Sequence, residues 1–144
     1  MTNILFGLIA AGAGIAAAIQ AAANAGLAAR IGLAGALLVN TSIVLVGTFV
    51  LYVARGPYGG LFPSSAPWSL YVGGACGFVF LLSLAFVFPR IGAAVSIALV
   101  VFGQAAAALA IDHFGLLGMP QEPLSVARVA GLVLVGGGLV LIRA

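Results

Sequence analysis

Long apolar runs, separated by short polar or glycine- and proline-containing stretches, make up almost the whole chain. Five runs stand out, at residues 4–24, 31–53, 68–88, 91–111 and 124–142. A helix of about 20 mostly apolar residues spans the hydrocarbon of a bilayer. A spanning strand would need about ten residues with alternating apolar and polar positions, and no such alternation occurs. The pattern therefore predicts an all-α integral membrane protein, a compact bundle of five transmembrane helices in a single domain, residues 1–144.

The stretches between the runs predict where the chain turns. Arg30 separates the first two runs, and Arg55 opens a loop rich in glycine and proline. Pro89-Arg90 predicts a very short turn, because proline is tolerated at the first position of a helix. The segment from Asp112 to Glu122 predicts a second loop.

Composition supports a membrane location. Hydrophobic residues make up 65% of the 144 positions, charged residues make up 5%, and the mean hydropathy is +1.36. About a quarter of the residues of a soluble domain are charged, so this chain has too few charges to cover a water-facing surface. The first three residues, Met1 to Asn3, include no basic residue, and four more apolar runs follow the first. We therefore expect the first span to remain in the mature protein and not to act as a cleaved signal peptide.

The basic residues give a weak topology signal, with five arginines and no lysine. If the spans alternate, Arg55 and Arg128 share one membrane face with the N-terminus. The other face carries Arg30, Arg90 and Arg143. An excess of basic residues marks the cytoplasmic side, so two interpretations stay open. Either the N-terminus lies outside, or the chain inserts both ways and forms an antiparallel homodimer, which would create the inverted repeat common among transporters.

Polar side chains within the spans are the candidates for function, because they are costly in lipid. Six side chains are candidates for contact with a solute: Gln20, Asn40, Ser42, Gln104, Asp112 and His113. Amides carry both donors and acceptors, so Gln20, Asn40 and Gln104 could join helices or line a solute path, and both interpretations stay open. Asn24 lies near the predicted end of its span, which favours a helix cap.

Asp112 and His113 are the one adjacent pair of an acid and a histidine. Histidine titrates near neutral pH, so the pair could handle a proton or a cation at one mouth of a path. It could equally order the loop that leads to Pro123. We expect no metal site, because the chain has no further cluster of cysteine, histidine or acidic residues.

Small residues within the spans predict close helix packing in lipid. Gly73 and Gly77 form a small-xxx-small pair, and three consecutive glycines occupy positions 136–138. A local kink at the triple glycine is the alternative.

Several features that other protein classes require are missing from the sequence. We find no nucleophile–base pair, phosphate-binding loop or metal motif, so we expect neither an enzyme nor a cofactor. No carboxylate lies in the middle of a span, which argues against a rotary-ring proteolipid. The scattered arginines do not form the basic face of a nucleic-acid-binding protein.

Five sequence blocks in this order along the chain carry a resemblance to a known family: Ala18–Asn24, Pro67-Trp68 followed by Gly73-Gly74, Pro89–Ala93, Phe102-Gly103-Gln104 and Ile111–Gly115. Together they resemble the YdcZ-like family of the drug/metabolite transporter superfamily. The resemblance covers nearly the whole chain and implies a short multi-pass protein of the bacterial inner membrane. It also implies an exporter that corresponds to half of an EamA-type ten-helix transporter.

The sequence therefore predicts an inner-membrane transporter of small organic solutes that works as a dimer. A passive pore and a non-transporting membrane subunit of a larger complex are the alternatives.

Overall fold

The computed structural model describes residues 2–56, 61, 63 and 66–143. The helices are α1 (Thr2–Ile31), α2 (Leu33–Arg55), α3 (Val72–Ile91), α4 (Ala93–Phe114) and α5 (Val126–Arg143). Each is long and apolar enough to cross a membrane, and no strand occurs within the described ranges. The predicted all-α membrane fold with five spanning helices is confirmed. Most of the predicted loop after Arg55 lies outside the described residues.

Gly32 joins α1 to α2 as a single residue. Its N–H donates to Ala28 O at 2.9 Å, which completes α1, and its carbonyl accepts from Ala36 N at 3.1 Å, which begins α2. The backbone here has φ 81° and ψ 158°, a conformation that is essentially restricted to glycine. The predicted interruption at Arg30 is wrong, because α1 continues through Arg30 to Ile31 and the chain leaves the helical conformation only at Gly32.

The same tripeptide, Arg-Ile-Gly, recurs at residues 90–92, and Gly92 has nearly the same backbone angles, φ 81° and ψ 163°. Its carbonyl accepts from both Ser96 N and Ser96 Oγ, at 3.2 and 2.6 Å. The predicted turn at Pro89-Arg90 is wrong, since Pro89 lies in the last turn of α3. The chain leaves the helix at Gly92, where a positive φ is possible without strain.

The start of α5 is also set by one side chain. Ser125 Oγ accepts a hydrogen bond from Arg128 N at 3.2 Å, and the Ser125 carbonyl accepts from Val129 N at 3.1 Å. This is the geometry of a helix N-cap. It explains why α5 begins at Val126, two residues after the predicted start.

The chain divides into two compact units, Met1–Arg90 (the first unit) and Ile91–Ala144 (the second unit). In the first unit α1 packs against α2, with Ala21, Ala36 and Leu37 buried. In the second unit α4 packs against α5, where Gly136 lies close to the ring of Phe102. At most 11% of the most apolar window of each span is buried within the chain. The outer faces of the helices are therefore left to lipid or to other proteins.

Candidate functional site

The first candidate site is a pair of amides between α1 and α2. Gln20 Nε2 donates a hydrogen bond to Asn40 Oδ1 at 3.2 Å, and both side chains are half-buried. At about 1.5 Å of rise per residue, Asn40 lies about 11 Å along α2 from Leu33. This depth is within the hydrocarbon of a bilayer about 30 Å thick. Two of the six predicted site residues are thus brought into contact, and we call them the amide pair.

One atom of the amide pair is unsatisfied. Asn40 Nδ2 is buried and has no hydrogen-bond partner, and it is the one such side-chain atom among the described residues. A buried amide N–H without an acceptor costs about 1–3 kcal/mol. Such groups are uncommon in native structures, and each one requires an explanation.

Asn24 lies next to the amide pair along α1, one turn after Gln20, and is buried at 6% exposure. The predicted role of Asn24 as a helix cap is wrong, because α1 continues for seven more residues to Ile31. Its i, i+4 spacing from Gln20 places both amides on one face of α1. The buried polar face of α1 therefore extends from Gln20 to Asn24.

The structure does not add the remaining intramembrane candidates to the amide pair. Ser42 lies on α2 and is exposed, two residues from Asn40 and so on a different side of the helix. Gln104 is an exposed residue of α4 in the second unit.

Asp112 and His113 belong to a second site, at the end of α4, which we call the loop cluster. The Asp112 carboxylate lies 3.5 Å from Arg128 Nη1, and Arg128 Nη2 also donates to the carboxylate of Glu122. The carbonyl of Asp112 accepts from Glu122 N at 2.8 Å. One arginine of α5 thus holds both acids of the chain at the junction of α4 and the following loop.

His113 takes part in the same loop through its ring and its carbonyl. Nδ1 accepts a hydrogen bond from Leu124 N at 3.3 Å, and the carbonyl accepts from Gln121 Nε2 at 3.0 Å. Gly115 ends α4 in the left-handed conformation, with φ 60°. These bonds tie the end of α4 to Gln121 and Leu124.

Glu122, Arg128 and Gln121 were not among the predicted site residues. The signal that could have identified them is the position of both acids and Arg128 within 17 residues around one short loop. Two helices that pack on either side of a short loop bring such charges together.

No group of three histidine, cysteine or acidic residues in the described part of the chain could hold a metal ion.

The family comparison agrees with this architecture. A family model described as "Putative inner membrane exporter, YdcZ" matches residues 5–141 and so reaches into all five helices. No curated protein and no solved structure matches the chain. The match confirms the resemblance to the YdcZ-like family and the location as a multi-pass protein of the inner membrane, and the family is described as one of inner-membrane exporters. The chain belongs to the YdcZ family.

Proposed function

We propose that this protein exports small organic solutes across the inner membrane and that it works as a homodimer. The observation that carries the proposal is the amide pair, in which Asn40 Nδ2 is buried at membrane depth without an acceptor. A donor in this position suits a solute that presents a carbonyl, carboxylate or hydroxyl oxygen.

The unsatisfied donor also suggests how binding is coupled to a change of conformation. In the described conformation Asn40 Nδ2 is buried, and its unpaired N–H lowers the stability of that conformation. A solute oxygen can accept that hydrogen bond only when α1 and α2 separate enough to admit it. A ligand shifts an equilibrium by its difference in affinity for two states, so the solute favours the open state. In the described, closed conformation Gln20 keeps Asn40 Oδ1 paired and the amide oriented.

The proposal assigns roles to the other predicted residues as well. Gln104 is a further amide contact on α4, and Ser42 is an exposed hydroxyl on α2. Asp112 and His113 stand at one mouth of the path. Five helices are few for a path with two gates, so we place the complete path in a dimer. An antiparallel second copy would supply the inverted repeat on which many transporters depend.

The test is a thermal-stability screen of the purified protein against a panel of metabolites and drugs, because a ligand that binds the folded state raises its melting temperature. We expect Asn40→Leu to abolish the shift caused by any solute that stabilises the unmodified protein. Thr48→Val is the matched control on the same helix, since the Thr48 hydroxyl bonds, among the residues that the structure describes, to Val44 O and Leu45 O of its own helix. Transport of the same solute into proteoliposomes should fall in parallel with binding.

The alternatives give different results. A passive pore would show flux that does not saturate and no solute-induced stabilisation, whereas a non-transporting subunit would show neither binding nor flux. Solute binding and transport that survive Asn40→Leu would refute the role of the amide pair.

A further inference from the structure

A groove runs along the first unit between α2 and α3, and its outer end is also lined by Ala25, Ala28 and Ala29 of α1. Its outer part is a cavity of about 380 Å³ at the α1–α2 junction, bordered on α3 by Ala85, Phe86, Pro89 and Arg90. Its inner part is a cavity of about 490 Å³ between Leu37, Thr41, Phe78 and Leu82. Leu33 lines both parts, so they adjoin.

One row of α3 side chains forms a wall of this groove. Phe78, Leu82, Phe86 and Arg90 follow each other at intervals of four residues, which places them on one helix face. Phe78 and Phe86 are 59% and 50% exposed, so the chain itself leaves this wall uncovered. The wall is apolar along its length and ends in a guanidinium group.

The length of the row matches one leaflet of the membrane. From Phe78 to Arg90 the helix rises about 18 Å at 1.5 Å per residue, and half of the hydrocarbon thickness is about 15 Å. An apolar molecule in the groove would therefore reach from the membrane surface to the middle of the bilayer. The acyl chain of a phospholipid has this extent and this orientation.

Arg90 is held in place at the open end of the groove. Its Cζ lies 3.5 Å from the centre of the Phe86 ring, and Nη1 donates to the Phe86 carbonyl. Arginine has five N–H donors, and no other hydrogen bond or ion pair of Arg90 occurs among the described residues. A planar guanidinium group with free donors suits a phosphate group.

Charge decides which lipid fits best. Residues 1–90 contain no aspartate or glutamate, so the first unit offers Arg90 no counter-ion. Arg128 in the second unit differs, because it pairs with two carboxylates. Arg30 adds positive charge at the same end of the first unit, in the last turn of α1. The neutralising charge for Arg90 must come from outside this unit.

We propose that the groove between α2 and α3 binds an anionic phospholipid, with one acyl chain along Phe78, Leu82 and Phe86 and the phosphate on Arg90. This inference does not depend on the transported solute.

The test measures lipid binding to the full-length protein in an uncharged detergent, with dioleoylphosphatidylglycerol and dioleoylphosphatidylcholine as the two probes. We expect tighter binding and a larger rise in melting temperature with phosphatidylglycerol. Arg90→Gln should weaken phosphatidylglycerol binding about tenfold, the effect of a lost charge-assisted hydrogen bond, and Arg90→Lys should weaken it less. Arg55→Gln is the matched control, because Arg55 carries the same charge at the opposite end of α2.

A second variant tests the acyl part of the site without a change of charge. Ala34 is an exposed residue that lines the inner cavity, and Ala34→Phe should weaken binding of both lipids by narrowing the groove. Equal losses with Arg90→Gln and Arg55→Gln, or equal stabilisation by inorganic phosphate alone, would overturn the proposal. If Ala34→Phe lowered crosslinking between two copies but left lipid binding intact, the groove would hold a second chain and the lipid proposal would be wrong.

Discussion

Polar side chains in the spans differ in whether the chain itself provides them with a hydrogen-bond partner. Gln20 has a partner across α1 and α2, whereas Gln104 is exposed on α4 and has no hydrogen bond within the described ranges. An amide that faces hydrocarbon without a partner is costly. Gln104 therefore requires either water and solute in a path or a polar group of another chain.

For this reason we predict that Gln104→Leu reduces or abolishes transport while the fold remains intact. No hydrogen bond of the described chain is lost, so the melting temperature should fall little or should rise. Transport into proteoliposomes and thermal unfolding measure the two effects separately. Normal transport by a well-folded Gln104→Leu variant would remove this residue from the solute path.

Small residues in α5 give a second prediction at the level of single side chains. A Cβ atom at Gly136 would lie 3.1 Å from Phe102 Cε2, whereas a Cβ atom at Gly137 would meet nothing within 4 Å. Gly136→Ala should therefore be less stable than Gly137→Ala by about 1 kcal/mol, the lower end of overpacking costs, since both variants share the gain in helix propensity. Thermal unfolding in detergent measures this effect, and Gly137→Ala is the matched control. Equal melting temperatures for the two variants would show that Gly136 does not fix the approach of the helices.

At the scale of helices, single glycines end one span and begin the next. Gly32 has a backbone conformation that costs other residues about 1–3 kcal/mol, so Gly32→Ala should lower stability by an amount in this range. Gly47→Ala is the control, because Gly47 lies inside α2 with free space around its Cα. Alanine is the better helix former by about 0.5–1 kcal/mol, and Gly47→Ala should leave stability unchanged or raise it. A Gly32→Ala variant as stable as the unmodified protein in thermal unfolding would contradict this account of the junction.

The loop cluster allows the two roles of Asp112 to be separated. The Asp112–Arg128 ion pair is partly exposed and at 3.5 Å, so Asp112→Asn should cost about 0.5–1 kcal/mol of stability. If Asp112 only orders the loop, the specific transport activity of the folded variant stays normal. If it handles a proton or a cation, activity or its pH dependence changes by more than the loss of folded protein explains. Glu122→Gln is the control, because it removes the other carboxylate on Arg128.

At the scale of the whole molecule, the five helices determine neither the direction in which the chain inserts into the membrane nor how copies of the chain assemble. The arginines divide two to three between the predicted membrane faces, so we predict insertion in both orientations. A C-terminal reporter should then give signal on both sides of the membrane, and one arginine added beside Arg55 should shift the population to one orientation. A strictly one-sided signal from the unmodified protein would exclude dual insertion and with it the antiparallel homodimer.

Length and apolarity determined the five spanning helices without any tertiary contact, because a helix in lipid satisfies its own backbone hydrogen bonds. The family could also be identified from the sequence, because each of the five blocks that carry the resemblance is a short segment of the chain. The sequence predicted the ends of the helices less accurately than it predicted the helices themselves. Pro89-Arg90 predicts a turn, whereas the positive φ that ends α3 belongs to Gly92.

The candidate sites depended on tertiary structure, because side chains distant in sequence meet only when particular helix faces pack. The sequence identified Gln20 and Asn40 as costly polar residues, but only the packing of α1 on α2 decided that they bond to each other and leave Asn40 Nδ2 unpaired. In the same way, packing of α5 on α4 brought Arg128 to both acids of the chain. Hydropathy is a property of each segment alone, whereas the rotation of one helix against another is fixed by contacts between segments. For that reason the sequence determined the spans, and only the tertiary structure decided which polar groups share a site.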